Sequence, residues 1–152
     1  MCAMRLGTGL RNKLLAGASG SGGLKAILDG GVMDIFTGSQ PASADYVETG
    51  TKLIRISSTS GSAATDGLLF GTSASGILPR TTPAWTGVVT VAGVAGWFRF
   101  YGTAGTSGTS ATANRIDGAV GVSGADLNLS HTSLVVDSVL TISTFNITQP
   151  AE

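Results

Sequence analysis

Four aromatic residues within five positions constrain the fold of this chain more than any other feature of its sequence. Residues 96–102 read Gly-Trp-Phe-Arg-Phe-Tyr-Gly. Aromatic side chains favour β-strands, and the two-residue period of a strand places Trp97, Arg99 and Tyr101 on one face. Phe98 and Phe100 then lie on the other face. Because both faces are largely apolar, the segment predicts a central strand of a sheet that is covered on both sides.

Arg99 brings a charge into this apolar segment. Burying an unpaired guanidinium group is costly, so we expect Arg99 to reach the rim of the sheet, a carboxylate or a neighbouring subunit. Trp85 begins another apolar segment and completes the set of large rings. The residues predicted to form the core or a contact between copies are Trp85, Trp97, Phe98, Arg99, Phe100 and Tyr101.

Short apolar segments alternate with clusters of Gly, Ser, Thr and Pro along the rest of the chain. They predict an all-β fold of about eight short strands, arranged as an antiparallel β-sandwich or a jelly-roll-like barrel. We expect the strand over 85–92 to form a hairpin with the aromatic strand. Residues 103–113 are almost all Gly, Ser, Thr and Ala, which predicts a mobile, exposed loop.

The first 23 residues are predicted to form a flexible arm, and residues 24–152 the β-sandwich body. Thr8 is suited to cap a short helix that is closed by Gly17, and a second short helix is expected to end at Gly30. A helix this short is not stable alone, so the first one must dock on its own body or on another subunit. The arm residues predicted to make that contact are Arg5, Leu10, Arg11, Lys13, Leu14 and Leu15.

Composition narrows the classes of partner. The formal net charge is zero, which argues against nucleic acid as a partner because phosphate binding needs a basic surplus. Charged residues make up 12% of the chain, and so lightly charged a surface does little to prevent self-association. We therefore expect a homo-oligomer, a dimer or a trimer. No apolar run approaches the roughly 20 residues that span a bilayer, so no membrane partner is expected.

Residues suited to catalysis or metal binding are sparse. His131 is the only histidine and Cys2 the only cysteine, so no disulfide within the chain and no metal-ligand spacing is present. Ser130 precedes His131, and strand alternation would point the two side chains apart. The carboxylates Asp117, Asp126 and Asp137 are interpreted as turn and edge residues, not as a calcium site. We predict no catalytic, cofactor or metal residues, and a protein that is not an enzyme.

Several segments, taken together, resemble a family of small virion structural proteins of tailed bacteriophages. The resemblance covers most of the chain after Met4. It rests on Leu10-Arg11-Asn12-Lys13-Leu14-Leu15, on the twelve residues from Asp34-Ile35-Phe36 to Asp45, on Glu48-Thr49-Gly50-Thr51-Lys52-Leu53, on Gly96-Trp97-Phe98-Arg99-Phe100-Tyr101, on Arg115-Ile116-Asp117-Gly118 and on Gly124-Ala125-Asp126-Leu127-Asn128-Leu129.

The resemblance implies a capsid decoration (cement) protein that binds the major capsid protein on the outside of the expanded head. Such a protein is synthesised in the bacterial host cytoplasm and located on the capsid surface of the virion. Two alternatives remain open at this point. One is a tail or baseplate component, and the other is a carbohydrate-binding module that uses exposed Trp85, Trp97 or Tyr101.

Overall fold

The computed structural model describes residues 4–16, 23–58, 67–81, 84–102 and 106–148. This part of the chain forms two short helices and eleven short strands. In chain order they are β1 (Arg5–Leu6), α1 (Thr8–Ala16), α2 (Gly23–Leu28), β2 (Val32–Thr37), β3 (Lys52–Ile56), β4 (Ile77–Pro79), β5 (Trp85–Val88), β6 (Gly93–Tyr101), β7 (Arg115–Gly121), β8 (Leu127–Asn128), β9 (Ser133–Leu134), β10 (Val139–Ile142) and β11 (Asn146–Thr148).

The largest sheet is built around the aromatic strand β6. Its strand order is β1-β7-β6-β2-β3, with β8 added beside β7 and β9 beside β6. All pairings are antiparallel except that of β7 with β8. The prediction of a central strand is confirmed, because the aromatic part of β6, residues 97–101, pairs with β2 on one side and with β7 on the other.

Two small antiparallel sheets, β5 with β10 and β4 with β11, pack on the inner face of the large sheet. The rings of Phe98 and Phe100 point into this space, where the ring centroid of Phe98 lies 5.5 Å from that of Phe145. Phe70 packs edge-on against Trp85 at 5.1 Å and lies 5.5 Å from Phe100. These shared rings give one apolar core, so the predicted all-β, sandwich-like class is confirmed.

The expected hairpin between residues 85–92 and the aromatic strand is wrong. β5 pairs with β10, and residues 93–95 belong to β6. The backbone amides of Thr90 and Val91 donate to the carbonyl of Leu53, at 2.9 and 3.2 Å, so the chain crosses the end of β3 before it enters β6. A Cβ on Gly93 would lie 2.9 Å from a methyl group of Leu53, a contact that a small movement of the leucine side chain would relieve.

The segment predicted as a flexible arm lies on the body over its described residues. β1 pairs with β7, and the side chain of Leu10 is fully buried in the core. Helix α1 approaches the chain at residues 112–113 so closely that a Cβ on Gly9 would lie 2.2 Å from the carbonyl oxygen of Thr112. Both predicted helices are present, and Gly30 follows α2 with a φ of 82°. Residues 1–3 and 17–22 lie outside the described residues.

Candidate functional site

The face of the large sheet opposite the core carries five charges of alternating sign in one cross-strand row. Arg5 lies opposite Asp117 on the neighbouring strand, and Asp117 lies opposite Arg99. Arg99 in turn lies opposite Asp34, which lies opposite Arg55. Directly paired residues project from the same face of a sheet, so these five side chains form what we call the charge row.

The centre of the charge row is fully buried. The side chains of Arg99 and Asp117 have no exposed surface, and two parallel hydrogen bonds of 2.7 Å join Nε and Nη2 of the arginine to the two carboxylate oxygens. Nη1 of Arg99 donates to the carbonyl of Tyr46 at 2.9 Å and to Glu48 at 3.0 Å. The expectation that Arg99 reaches a carboxylate is confirmed, and the planar guanidinium suits this fork-like geometry.

The ends of the charge row are open to solvent. Asp34 is buried and accepts bonds of 2.7 and 2.8 Å from Nε and Nη2 of Arg55, whose side chain is 43% exposed. Lys52 lies 3.8 Å from the same carboxylate. At the other end, Arg5 is exposed and donates to the carbonyl of Pro41. Solvent therefore screens the outer pairs, whereas the central pair is shielded from it.

Two loops, residues 43–50 and 106–110, cover the centre of the row. Glu48 joins them, because its carboxylate accepts bonds from the Tyr101 hydroxyl at 2.7 Å and from the Gly108 amide at 3.0 Å. Arg115 is buried and donates to the carbonyls of Thr106 and Gly108. The loop predicted to be mobile is thus fastened over residues 106–110; residues 103–105 lie outside the described part of the chain.

Asp45 extends this network to the N-terminal segment. Its carboxylate accepts from the backbone amide of Thr8, at 2.7 Å, and from the Thr8 hydroxyl. A carboxylate at the first turn of α1 also interacts favourably with the helix dipole. The carbonyl of Asp45 accepts from the amide of Ser110 at 2.8 Å. The loop over residues 43–50 thus connects helix α1, the large sheet and the loop over residues 106–110.

Aromatic rings on the face that carries the charge row also help to cover it. Trp97 stacks on Phe36 with ring centroids 4.5 Å apart, and its indole nitrogen donates to the carbonyl of Thr49 at 3.2 Å. The guanidinium carbon of Arg99 lies 5.4 Å from the centre of the Trp97 ring, within reach of a cation–π interaction. Trp97, Tyr101 and Trp85 are all buried, so the alternative that uses these rings as an exposed carbohydrate platform is wrong.

The hydrogen bonds of the network shift the pKa values of its charged groups. Burial by itself raises the pKa of Glu48, but the bonds from Tyr101 and Gly108 outweigh it, and the pKa is lowered. The same balance of burial against bonds from Thr8 lowers the pKa of Asp45. Burial opposes the charged form of Arg99, yet the bonds to Asp117 raise its pKa. These three shifts favour the charged forms. Burial acts in the opposite direction on two other members of the network, because it raises the pKa of Asp117 and lowers the pKa of Arg115.

The other residues considered for chemistry are not gathered around this network. Ser130 and His131 are exposed; the serine oxygen lies 3.0 Å from Nδ1 of the histidine, although alternation would separate them. Asp126 accepts from the amide of Ala119, and Asp137 lies in an exposed turn. Among the described residues, no group of three or more His, Cys, Asp or Glu side chains is placed to hold a metal ion.

The interface residues predicted in the N-terminal segment divide into two groups. Leu10 points into the core, whereas Arg11, Lys13 and Leu14 are exposed on α1. Arg5 and Arg11 line a groove of about 430 Å³ together with residues 42–44. The side chain of Leu15 lies outside the description. The exposed members give the docked segment a basic outer surface.

Comparison with known proteins adds no family to these observations: no protein-family model, no curated protein and no solved structure matches the chain. No helix in the described part of the chain is both long enough and apolar enough to cross a membrane. A functional proposal therefore depends on the sequence resemblance and on the surfaces of this chain.

Proposed function

We propose that this protein is a structural component of the virion of a tailed bacteriophage, a decoration or cement protein on the outside of the expanded head. The observation that carries the proposal is the place in the structure of the segments that resemble phage virion proteins. Asp34, Glu48, Arg99 and Asp117 each fall within one of those segments, and in this chain they build the charge row and its cover. What resembles virion proteins is thus a connected, fold-defining unit that contains no catalytic pattern.

A rigid body suits a protein that reinforces a shell. A decoration protein that binds across neighbouring shell subunits stabilises the shell in proportion to its occupancy. Many copies on one particle allow weak individual contacts to add up. Loops already fixed by Glu48 and Arg115 lose little conformational entropy when they bind, which leaves more of the interaction energy for the shell.

The N-terminal segment offers a surface for the major capsid protein. Leu10 anchors the segment in the core, and its outer side presents Arg11, Lys13 and Leu14. Two cations beside an exposed leucine are suited to an acidic, partly apolar strip on the shell. Self-association of the decoration protein as a dimer or trimer belongs to the same proposal.

Co-sedimentation with phage heads tests the proposal. Purified protein is mixed with expanded heads that lack it and, separately, with tails. We expect saturable binding to heads, and heads that then survive heating better. Binding to tails alone would favour the tail or baseplate alternative, and binding to neither would refute a virion role.

A pair of variants with equal charge change tests the contact surface. Arg11→Gln with Lys13→Gln removes two positive charges from α1, and we expect weaker head binding with a shallower salt dependence. Thr72→Glu with Ser73→Glu changes the net charge by the same amount at exposed positions elsewhere. Equal loss of binding in both variants would contradict the assignment of α1 as the contact.

A further inference from the structure

Six valines stand exposed on two neighbouring segments of the body, residues 88–94 and 133–139. Their exposed fractions range from 40% for Val88 to 66% for Val139. Valine is normally among the most often buried residues, and single exposed ones need no explanation. Six within one region form a patch, which we call the valine surface: Val88, Val91, Val94, Val135, Val136 and Val139.

The backbone pairing shows that these valines belong together. Val139 lies directly opposite Val88 in the β5–β10 pair, so their side chains share the outer face. Further along, the amide of Asp137 donates to the carbonyl of Val89 at 2.9 Å. Val94 is paired with Ser133 between β6 and β9. The two segments thus run side by side from one end of the valine surface to the other.

The valine surface lies in a part of the chain that is almost free of charge. Residues 81–98 contain no Asp, Glu, Lys or Arg, and residues 127–148 contain only Asp137. Soluble monomers rarely expose large apolar patches, and those that do use them as contact sites. With no positive charge and only Asp137 as a negative one, these segments offer few complementary groups to a nucleic acid or to a strongly charged protein.

Strand β10 adds an open edge next to the valine surface. It pairs with β5 on one side, and no strand of the described part of the chain pairs with its other side. Its sequence, Val-Leu-Thr-Ile, contains no charge and no proline. Natural edge strands usually carry lysine, proline or a bulge that prevents pairing with another chain. β10 has only four residues, and a short edge also limits pairing, so the edge is a smaller part of the contact than the valine surface.

We propose that the valine surface and the edge of β10 form the contact between two copies of this chain. Asp137 is the one charged residue in the two segments of the valine surface, so two copies can face each other with little repulsion, and the net charge of zero removes long-range repulsion between copies. The largest apolar patch of a typical monomer covers about 300–600 Å², and six valines with exposed fractions of 40–66% make a patch of that order. Two such patches would bury on the order of 1,000 Å², close to the lower limit for a specific interface.

This inference rests on the self-association included in the proposed function and assigns the contact to a different surface of the chain. The aromatic segment was predicted as the core or a contact between copies, but Trp97, Phe98 and Phe100 have no exposed surface and cannot touch a second copy. A two-fold axis in front of the valine surface would instead stack the two faces on each other, with the edge of β10 at the margin of the contact.

Sedimentation equilibrium of the full chain at increasing concentration tests the inference. We expect the wild-type protein to form dimers or a higher oligomer at micromolar concentration. Val139→Glu should weaken self-association by about 30-fold or more, because it places a charge within an apolar contact. Val47→Glu is the matched control: Val47 is 54% exposed but lies in the loop over residues 43–50, and its replacement should leave self-association unchanged.

Two results would overturn the inference: a wild-type protein that stays monomeric at several hundred micromolar, or equal association of Val139→Glu and wild type. Circular dichroism confirms the fold of each variant. If Val139→Glu fails to fold, Val139→Thr keeps the shape of the side chain and should weaken association in the same direction. The head-binding assay is separate, so a monomer that binds heads would refute this inference alone, and an oligomer that binds neither heads nor tails would refute the virion role alone.

Discussion

Replacing Asp117 with alanine is expected to destabilise this protein strongly. Asp117 is the partner of Arg99 in two bonds of 2.7 Å, and neither side chain has any exposed surface. Without the carboxylate, Arg99 keeps one bond to Glu48 and one to the carbonyl of Tyr46, while its Nε and Nη2 groups remain buried without an acceptor. Removing one partner of a buried ion pair costs about 3–5 kcal/mol.

The cost is large in relation to the stability of a domain of this size, about 5–15 kcal/mol. At about 2–4 °C per kcal/mol, the midpoint of thermal unfolding should fall by about 6–20 °C. Tryptophan fluorescence reports the transition, since Trp85 and Trp97 are both buried. Lys52→Ala is the control: Lys52 is 48% exposed and lies 3.8 Å from Asp34, and the loss of such an exposed pair should cost at most about 1 kcal/mol.

A double variant separates the loss of charge pairing from the loss of packing. Arg99→Met combined with Asp117→Leu removes both charges and keeps most of the volume, so it should be more stable than Asp117→Ala alone. If Asp117→Ala costs less than about 1 kcal/mol, the central pair is not isolated from solvent and the reasoning is refuted. If the double variant is no more stable than the single one, the cost comes from packing and not from the unpaired guanidinium.

Three further outcomes are expected. Leu10→Ala should cost about 2–5 kcal/mol in urea unfolding, whereas Leu14→Ala, one turn along the same helix and 39% exposed, should cost less than about 1 kcal/mol; equal costs would mean that the segment is not docked. The pKa of Glu48 is lowered in the folded protein, so the stability that Glu48 contributes is present above its ordinary pKa and is lost as the pH falls through the folded value. The stability of Glu48→Gln should therefore depend less steeply on pH below about 4.3 than that of the wild type. An unchanged slope would contradict this. Gly9→Ala, usually favourable in a helix, should destabilise this protein because the new methyl group would meet the Thr112 carbonyl, and a rise in the unfolding midpoint would refute that contact.

The core of the fold was predictable because it depends on a period of two. Alternation alone places Phe98 and Phe100 on the opposite face from Trp97 and Arg99, and the structure buries the two phenylalanines in the core. The hairpin was not predictable in the same way. Gly93 indicates a turn whether the chain forms a hairpin or crosses the end of β3. Only the hydrogen bonds to the distant carbonyl of Leu53 decide between the two.

The charge row required information that alternation does not supply. Alternation assigns a face to each charge, but the register decides which charge lies opposite which, and register is a long-range property. A signal was nevertheless present in the sequence. Asp34 and Arg99 are each the one charged residue of their strand, Asp117 lies two positions after Arg115 in β7, and the signs of Asp34, Arg99 and Asp117 are complementary. Isolated charges of opposite sign in separate apolar strands predict mutual pairing, because none of them can be buried alone.

The sequence predicts that the first helix docks but leaves open whether it docks on its own body or on another subunit, because the glycine-rich residues 17–23 predict a flexible linker. In the structure, Leu10 enters the core and so fixes this segment on the body of its own chain. A single buried side chain has no periodic signature, since one helix of two turns offers too few positions to show one.

This protein buries charged side chains and exposes valines, which is the reverse of the usual distribution of residue types. The two departures have different physical consequences. A buried pair such as Arg99 with Asp117 adds little net stability over an apolar pair of similar volume, but it penalises every register in which the two do not meet. The exposed valines add no stability to the isolated chain and lower its solubility unless something covers them. The buried charges therefore fix the inside of the molecule, and the exposed valines have value in the contact between copies that we propose. For this reason Val139→Glu should raise the solubility of the isolated chain while it weakens the contact between copies, whereas changes to the charge row should affect folding first.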